Sequence, residues 1–378
     1  MNASWRVIAV PSPPAGAGGD WEWTWVYEGF SRIRHDRELK TWGNTDRWAP
    51  TPVAMAFLAD SPYRRTLLRA AVQEHDRAPS PDDVLGVACI TFPLDGDAHV
   101  AFVDVAVDPR HEGQGIGTEL AAAAEKLVEQ EGRTTTLAWT VHAPEPDPGP
   151  GVVTAPTGSG RVDLGHPYSR FAAVRGFSLE QVARASTLTF PDTAADRDRK
   201  PAELDSLRAD AASHAGPEYR VHTWSRTVPE RYHAALAVLW GRMNTDAPSG
   251  AVDVPDEEWD AERVAGRLDD LARASQQALL AAAEHVPTGT LAAFTLLSVP
   301  DPDVDFGFQE DTLVLPEHRG RRLGMLVKVA NLQQLGTLRP RVRRVHTVNA
   351  EENAFMLAIN VALGFRGAGV VATWQKQA

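Results

Sequence analysis

The chain has 378 residues, of which 38 are Lys or Arg and 50 are Asp or Glu, for a formal net charge of −12 at pH 7. At roughly 150 residues per domain this length implies two to three domains. Divided at residue 190, the halves carry −7 and −5, so the acid excess belongs to no tail. Phosphate affinity comes from clustered Lys and Arg, which disfavours a nucleic-acid partner. With 43% hydrophobic residues the chain can bury a core, and its single cysteine, Cys89, excludes an internal disulfide and a multi-thiolate zinc site. No metal site is expected. No stretch approaches the ~18–20 uncharged apolar residues of a membrane span. The start lacks the basic and apolar regions of a signal peptide, so a cytoplasmic protein without a membrane partner is expected.

In chain order, the predicted elements fall into two matching sets. A strand over Val84–Phe92 precedes an alternating, β-rich stretch over His99–Val107 that ends at Pro109. A glycine-rich loop leads into a helical run over Thr118–Glu131 and a strand over Thr135–Val141. The Pro- and Gly-rich segment after Ala143 predicts an irregular surface loop. After a polar stretch with a short helix at Ala202–Ser213, an amphipathic helix is expected over Arg231–Met243. The same series then recurs: strands over Thr290–Val299 and Phe306–Val314, a loop, a helix over Met325–Leu335 and a strand over Val342–Val348.

The second series aligns with the first without a gap at an offset of 207 residues. Pro109 pairs with Pro316, Gly113 with Gly320, Gly117 with Gly324, and Thr140, Val141 and Ala143 with Thr347, Val348 and Ala350. Two copies of this length mean tandem domains rather than a solenoid. The predicted division is an N-terminal domain over 1–190, a linker with a short helix over 191–216, and a C-terminal domain over 217–378.

A strand that enters a glycine-rich turn and then a helix aims several unpaired backbone N–H groups at one point, with the helix dipole behind them. Glycine permits φ > 0 and close approach of a phosphate. Gly113-Gln114-Gly115-Ile116-Gly117 has this form after Val107; Arg319-Gly320-Arg321-Arg322-Leu323-Gly324 has it with Arg322 where Gly115 stands.

With these loops in this context, the chain resembles the GCN5-related N-acetyltransferases, which bind acetyl-CoA through an Arg/Gln-x-x-Gly-x-Gly/Ala loop. The resemblance covers both halves and implies an α/β fold of two tandem domains. Each would be a mixed, mainly antiparallel twisted sheet with a splayed central strand, flanked by helices. It implies acetyl-CoA as the cofactor and a small-molecule amine as the partner, in a monomer or homodimer. Cofactor contacts would come from Leu313, Val314 and Leu315 on the splayed strand, from Arg319 to Gly324, and from Asn353. In the first half they would come from Val107 and Gly113 to Gly117, where Glu112 replaces the usual Arg or Gln.

The second signature of that family is an Asn, then seven residues later a Tyr, then Gly-Phe. Here it reads Asn353, Asn360 and Gly364-Phe365, whereas the first half has Gly165 and Ala172. The resemblance therefore places the active site in the C-terminal half, with Asn360 where a tyrosine usually protonates the departing thiolate. An amide has no proton to give at neutral pH.

Glu310 reads either as the general base or as a solvated strand residue. Strand alternation puts Phe306, Phe308, Glu310 and Thr312 on one face and Asp311 on the other. His346 reads either as a second base or as a satisfied strand histidine in the position of Trp139. The run Arg339–Arg344 reads either as an attractor of the adenosine 3′-phosphate or as a solvated charge run at a helix–strand turn. Trp240, Asn244, Glu257 and Trp259 form either an aromatic and acidic wall for a cationic amine or part of an ordinary helix with its tryptophan in the core. A non-catalytic acyl-CoA-binding or sensing protein and a protein-lysine acetyltransferase are the alternatives to an enzyme acting on a small molecule.

Overall fold

A computed structural model describes residues 4–14, 17, 19–94, 99–190, 199–246, 248–253, 257–300 and 304–378. The chain forms two units: Met1–Val182 with Ser249–Asp256 and Val370–Ala378, and Ala183–Pro248 with Glu257–Gly369. The units interleave along the chain, which a single division at 191–216 does not provide for. Strand pairing is the cause: residues 183–189 pair inside the second unit and residues 370–377 inside the first.

The first unit contains β1 (Trp5–Val10), α1 (Thr24–Trp42), α2 (Thr51–Leu58), β2 (Arg64–Gln73), β3 (Val84–Pro93), β4 (Val100–Val107), α3 (Ile116–Gln130), β5 (Thr135–His142), β6 (Val152–Thr154), β7 (Arg161–Asp163) and α4 (Pro167–Val174). Residues from β8 (Ser178–Thr189) enter the second unit. It holds α5 (Arg199–Ala215), β9 (Tyr219–Ser225), α6 (His233–Asp246), α7 (Ala261–Arg273), β10 (Gln276–His285), β11 (Thr290–Pro300), β12 (Phe306–Val314), α8 (Leu323–Leu338), β13 (Arg344–Ala350) and α9 (Ala354–Leu363). The last strand, β14 (Arg366–Gln377), returns to pair with β5. The segment after Ala143 is less irregular than its Pro and Gly content predicts, because β6 and β7 form an antiparallel hairpin within it.

Within the first unit the strand order is β1-β2-β3-β4-β5-β14; within the second it is β8-β13-β12-β11-β10-β9. Both are mixed sheets. The parallel pairs are β4 with β5 and β12 with β13, each held over only three residue pairs before the strands part. Covering both sheet faces in the second unit explains why β11 reads as a nearly unbroken apolar run, with Leu291–Val299 buried throughout. One face packs with Leu236, Trp240, Val264 and Leu268 of α6 and α7; the other packs against α8. Helix α8 is apolar nearly all round and buried accordingly, yet it carries Lys328 and Asn331 inside the core.

Candidate active site

At the end of the β12–β13 pair, β12 departs from regular pairing with β11. Thr295 opposes Thr312 while Leu297 opposes Gln309, so Glu310 and Asp311 together stand opposite Leu296. This β-bulge cancels the alternation that a regular strand imposes. Thr312 joins the face of Gln309: Gln309 Nε2 donates to Thr295 Oγ1 at 2.9 Å, and the Thr295 and Thr312 hydroxyls lie 2.7 Å apart. Glu310 and Asp311 share the opposite face. Glu310 accepts from Ser298 Oγ at 2.6 Å and Asp311 from Trp240 Nε1 at 2.8 Å, and Trp240 packs edge-on to Phe294, two strand repeats from Ser298. The expectation that these carboxylates point to opposite faces is thus corrected, and so is the grouping of Thr312 with Glu310.

Trp240 is 3% exposed and stacks on Trp259 with ring centroids 5.2 Å apart. The Trp259 indole donates to Glu257 at 3.0 Å, and Arg263 lies over the same ring at 4.7 Å. Asn244 lies on α6, but its side chain is outside the described residues. The Glu310 side chain is exposed, yet burial by surrounding protein raises its carboxyl above the usual range. Ser298 opposes that shift, Asp311 adds to it and Arg267 opposes it.

Beyond the bulge, Leu313 and Leu315 turn into the core and Val314 packs toward α8. The loop that follows has the same backbone course in both units. Gly113 and Gly320 have φ of 78° and 79°, and the residues preceding each helix, Gly115 and Arg322, have φ of 85° and 57°. Arg322 therefore holds a left-handed conformation that costs an L-residue about 1 kcal/mol. A Cβ at Gly113, Gly115 or Gly320 would meet no atom within 4 Å, so the loops present open cradles in front of helix N-termini. Both fit a pyrophosphate. Gln114 and Ile116 complete the first loop and Leu323 the second, with Ile116 and Leu323 buried as helix anchors. Gly117 and Gly324 instead serve packing, against Val107 and Phe171 and against Ile359 and Val314.

The loop arginines already have partners. Arg319 pairs with Asp246 at 2.9 Å, Arg322 pairs with Asp210, and Arg321 lies over the Tyr219 ring at 5.7 Å. In the first unit, Glu112 is neutralised by Lys40 at 2.8 Å and accepts from the Tyr168 hydroxyl at 3.3 Å. A carboxylate beside a pyrophosphate is repulsive, and this pairing reduces that repulsion.

Asn353 is the N-cap of α9 and accepts from the Met356 N–H at 3.1 Å. Asn360 is 2% exposed and donates to Asn349 Oδ1 at 2.7 Å, while its own Oδ1 has no hydrogen-bond partner among the described residues. Gln309 Oε1 is a second such buried acceptor. His346 is 3% exposed; its Nδ1 lies 2.9 Å from Thr187 Oγ1 and its ring borders Phe308. This arrangement is that of a satisfied strand histidine. Trp139 does not match it, being 43% exposed and stacked on Phe102. Arg339 departs from the solvated reading of its run: it is buried and donates to Gln277 and to the Pro300 carbonyl.

The first unit's splay has no bulge, since β3 and β4 pair in unbroken register from Gly86–Val107 to Thr91–Phe102. Val103 and Asp104 stand where the repeat places Glu310 and Asp311, and Asp104 is paired with Arg34. Sequence reasoning missed a cluster beside this loop: His142, His166, Tyr168 and Ser169. The His142 and His166 rings meet edge-on at 4.6 Å, and burial drives His142 down to about 4. No local spacing joins these residues to Lys40 and Glu112, so only the fold reveals them.

Each unit is thus a mixed sheet that splays at its parallel pair, with a glycine-containing loop and a helix after the splayed strand. Residues 27–147 match the model of the acetyltransferase (GNAT) family. No curated protein matches the chain by sequence. Among solved structures, a tandem GNAT protein from the clavulanic acid biosynthesis pathway is similar with a TM-score of 0.71 and 22% identity, over 99% of this chain and 98% of that one. A GCN5-related N-acetyltransferase from Sphaerobacter thermophilus is similar with a TM-score of 0.56 and 14% identity, over 99% and 95%. The chain has the tandem GNAT fold, and its first unit carries the matched GNAT-family domain. Among the described residues no helix is long and apolar enough to cross a membrane.

Proposed function

We propose that the chain transfers an acetyl group from acetyl-CoA to the amine of a cationic small molecule, in the second unit. The observation that carries this reading is the bulge that sets Glu310 and Asp311 on one face beside Trp240. A pair of carboxyl groups next to indole rings attracts an ammonium group, and the raised Glu310 carboxyl is suited to accept its proton. Asp311, held in place by the Trp240 indole, would orient the amine.

Gly320, Arg321, Arg322 and the N-terminus of α8 would hold the pyrophosphate, with Arg319 and Arg322 exchanging Asp246 and Asp210 for phosphate oxygens. Such exposed ion pairs contribute little on their own, so the exchange is inexpensive. Backbone N–H groups of β12 beyond Phe308, where the strand no longer pairs with β13, would polarise the thioester carbonyl. Acetyl-CoA supplies the activated acyl carbon. Asn353 holds α9 in place through its cap.

Thiol release from acetyl-CoA, measured against a panel of mono- and diamines, tests this reading. Release that depends on the amine, and that Glu310→Gln suppresses, is the expected result. Binding of CoA with no amine-dependent release would overturn it in favour of an acyl-CoA-binding protein.

A further inference from the structure

One buried group in the second unit has no part in the scheme above. Lys328 is 1% exposed, on the helix that begins at the phosphate loop. Its Nζ lies 3.9 Å from Met356 Sδ and 5.8 Å from the Phe365 ring centroid. No carboxylate pairs with it among the described residues. Burying a lone ammonium costs several kcal/mol, and a structural role would be met equally well by Met or Leu.

Its location is defined by its neighbours. One turn earlier, Gly324 meets Val314 of β12 and Ile359 of α9, so this face of α8 lines the space between the splayed strand and α9. Lys328 continues the same face onto Met356, and Met356 stands one turn before Asn360. Asn360 Oδ1 and, on β12, Gln309 Oε1 are buried acceptors without partners. Lys328 thus meets α9 at Met356, one helical turn from Asn360, the residue that stands in place of a proton-donating side chain.

We infer that Lys328 donates the proton taken up by the departing thiolate. The assignment rests on the acetyl-transfer reading of this site. The amine nitrogen bonds the acyl carbon, the C–S bond breaks with its electron pair going to sulfur, and Lys328 Nζ gives that sulfur a proton. Glu310 takes the ammonium proton that frees the amine for attack, the second proton leaves the nitrogen for solvent as the amide forms, and solvent later restores Lys328. Burial lowers the Lys328 ammonium from 10.5 to about 7, with no charged neighbour contributing; Met356 and Phe365, the groups facing it, do not titrate. Its proton is therefore transferable near neutrality.

The test compares acetyl-CoA with an acetyl thioester of an acidic aryl thiol, whose thiolate needs no proton. In the wild type, kcat for acetyl-CoA should fall as pH rises through about 7, and the aryl thioester should show no such limb. Lys328→Met should lower kcat with acetyl-CoA by about 10²-fold or more while leaving the aryl thioester within a few-fold. Equal losses on both donors, or no descending limb in the wild type, would overturn the assignment of Lys328 alone. The wild-type comparison decides even if the variant does not fold. Absence of amine-dependent release from either donor in the wild type would overturn the underlying reading and this assignment with it.

Discussion

Trp240 Nε1 donates to Asp311 Oδ2 at 2.8 Å, on the same face of β12 where Glu310 accepts from Ser298. Two consecutive residues of one strand can do this only across a bulge. The consequence is a division of labour between carboxylates: one is fixed in position by an indole, and the other has its carboxyl raised by burial. Glu310→Gln should lower kcat by about 10²–10³-fold with little change in the KM for the amine. Asp311→Asn should act mainly on KM. Because the Glu310 carboxyl is raised, the acid limb of kcat/KM should lie above the ordinary glutamate range. An ascending limb at the ordinary value, or one unchanged in Glu310→Gln, would contradict the role of base.

The phosphate loops make a second comparison possible. Arg322 adopts the left-handed conformation that glycine takes at position 115. Arg322→Gly should relieve about 1 kcal/mol of backbone strain and lose one exposed ion pair, leaving the thermal midpoint equal or slightly raised. The same change should raise the KM for acetyl-CoA, because a positive charge leaves the cradle. Gly115→Arg, the converse change in the first unit, should spare turnover. A rise in the KM for acetyl-CoA from Gly115→Arg as large as that from Arg322→Gly would contradict an active site confined to the second unit.

Much of this architecture is legible in the sequence because it is local. The offset of 207 residues carries strand, loop and helix together, and the helices after the loops begin at Ile116 and Leu323, the same offset apart. The bulge is not legible, since it arises when a strand pairs with a neighbour of different residue count, and nothing in Gln309-Glu310-Asp311-Thr312 reveals the register of β11. The exchange of residues 370–378 into the first unit is hidden for a similar reason: β14 reads as one continuous strand, and only its partners assign it. The histidine cluster around His142 depends on elements far apart in sequence, which periodicity does not connect.

Asn353 illustrates a residue whose family position and local role coincide. Its side chain caps α9 through the Met356 N–H, so Asn353→Ala should cost about 1 kcal/mol of stability and weaken acetyl-CoA use through α9. Asn353→Asp preserves the cap. Recovery of the thermal midpoint without recovery of the KM for acetyl-CoA would separate cofactor contact from helix capping; recovery of both would assign the effect to the cap.

His142 makes acid sensitivity a property of the first unit. Burial, with a smaller contribution from His166, lowers it from 6.5 to about 4. The unfolded chain therefore binds this proton more readily than the folded one. Stability is unaffected by this group above pH 6.5 and is lost as pH falls from there toward 4. His142→Gln, which cannot ionise, should flatten that part of the curve of thermal midpoint against pH. A variant as acid-sensitive as the wild type would show that another group is responsible.

Lys328 should be the reverse case, a residue whose removal stabilises. Its ammonium is lowered from 10.5 to about 7 by burial alone. Below pH 7 the folded chain must hold a proton at an apolar site, while the unfolded chain holds it in water, so the full penalty applies there. The penalty declines as pH rises from about 7 toward 10.5, where neither state is charged. A shift of this size corresponds to roughly 3–5 kcal/mol. Met fills a similar volume without charge, so Lys328→Met should raise the thermal midpoint by several degrees at pH 6, with the gap narrowing toward pH 9. Combined with its expected loss of turnover, this would mark Lys328 as a position where stability is given up for chemistry. A variant less stable than the wild type at pH 6 would show instead that the Met356 and Phe365 contacts outweigh the buried charge.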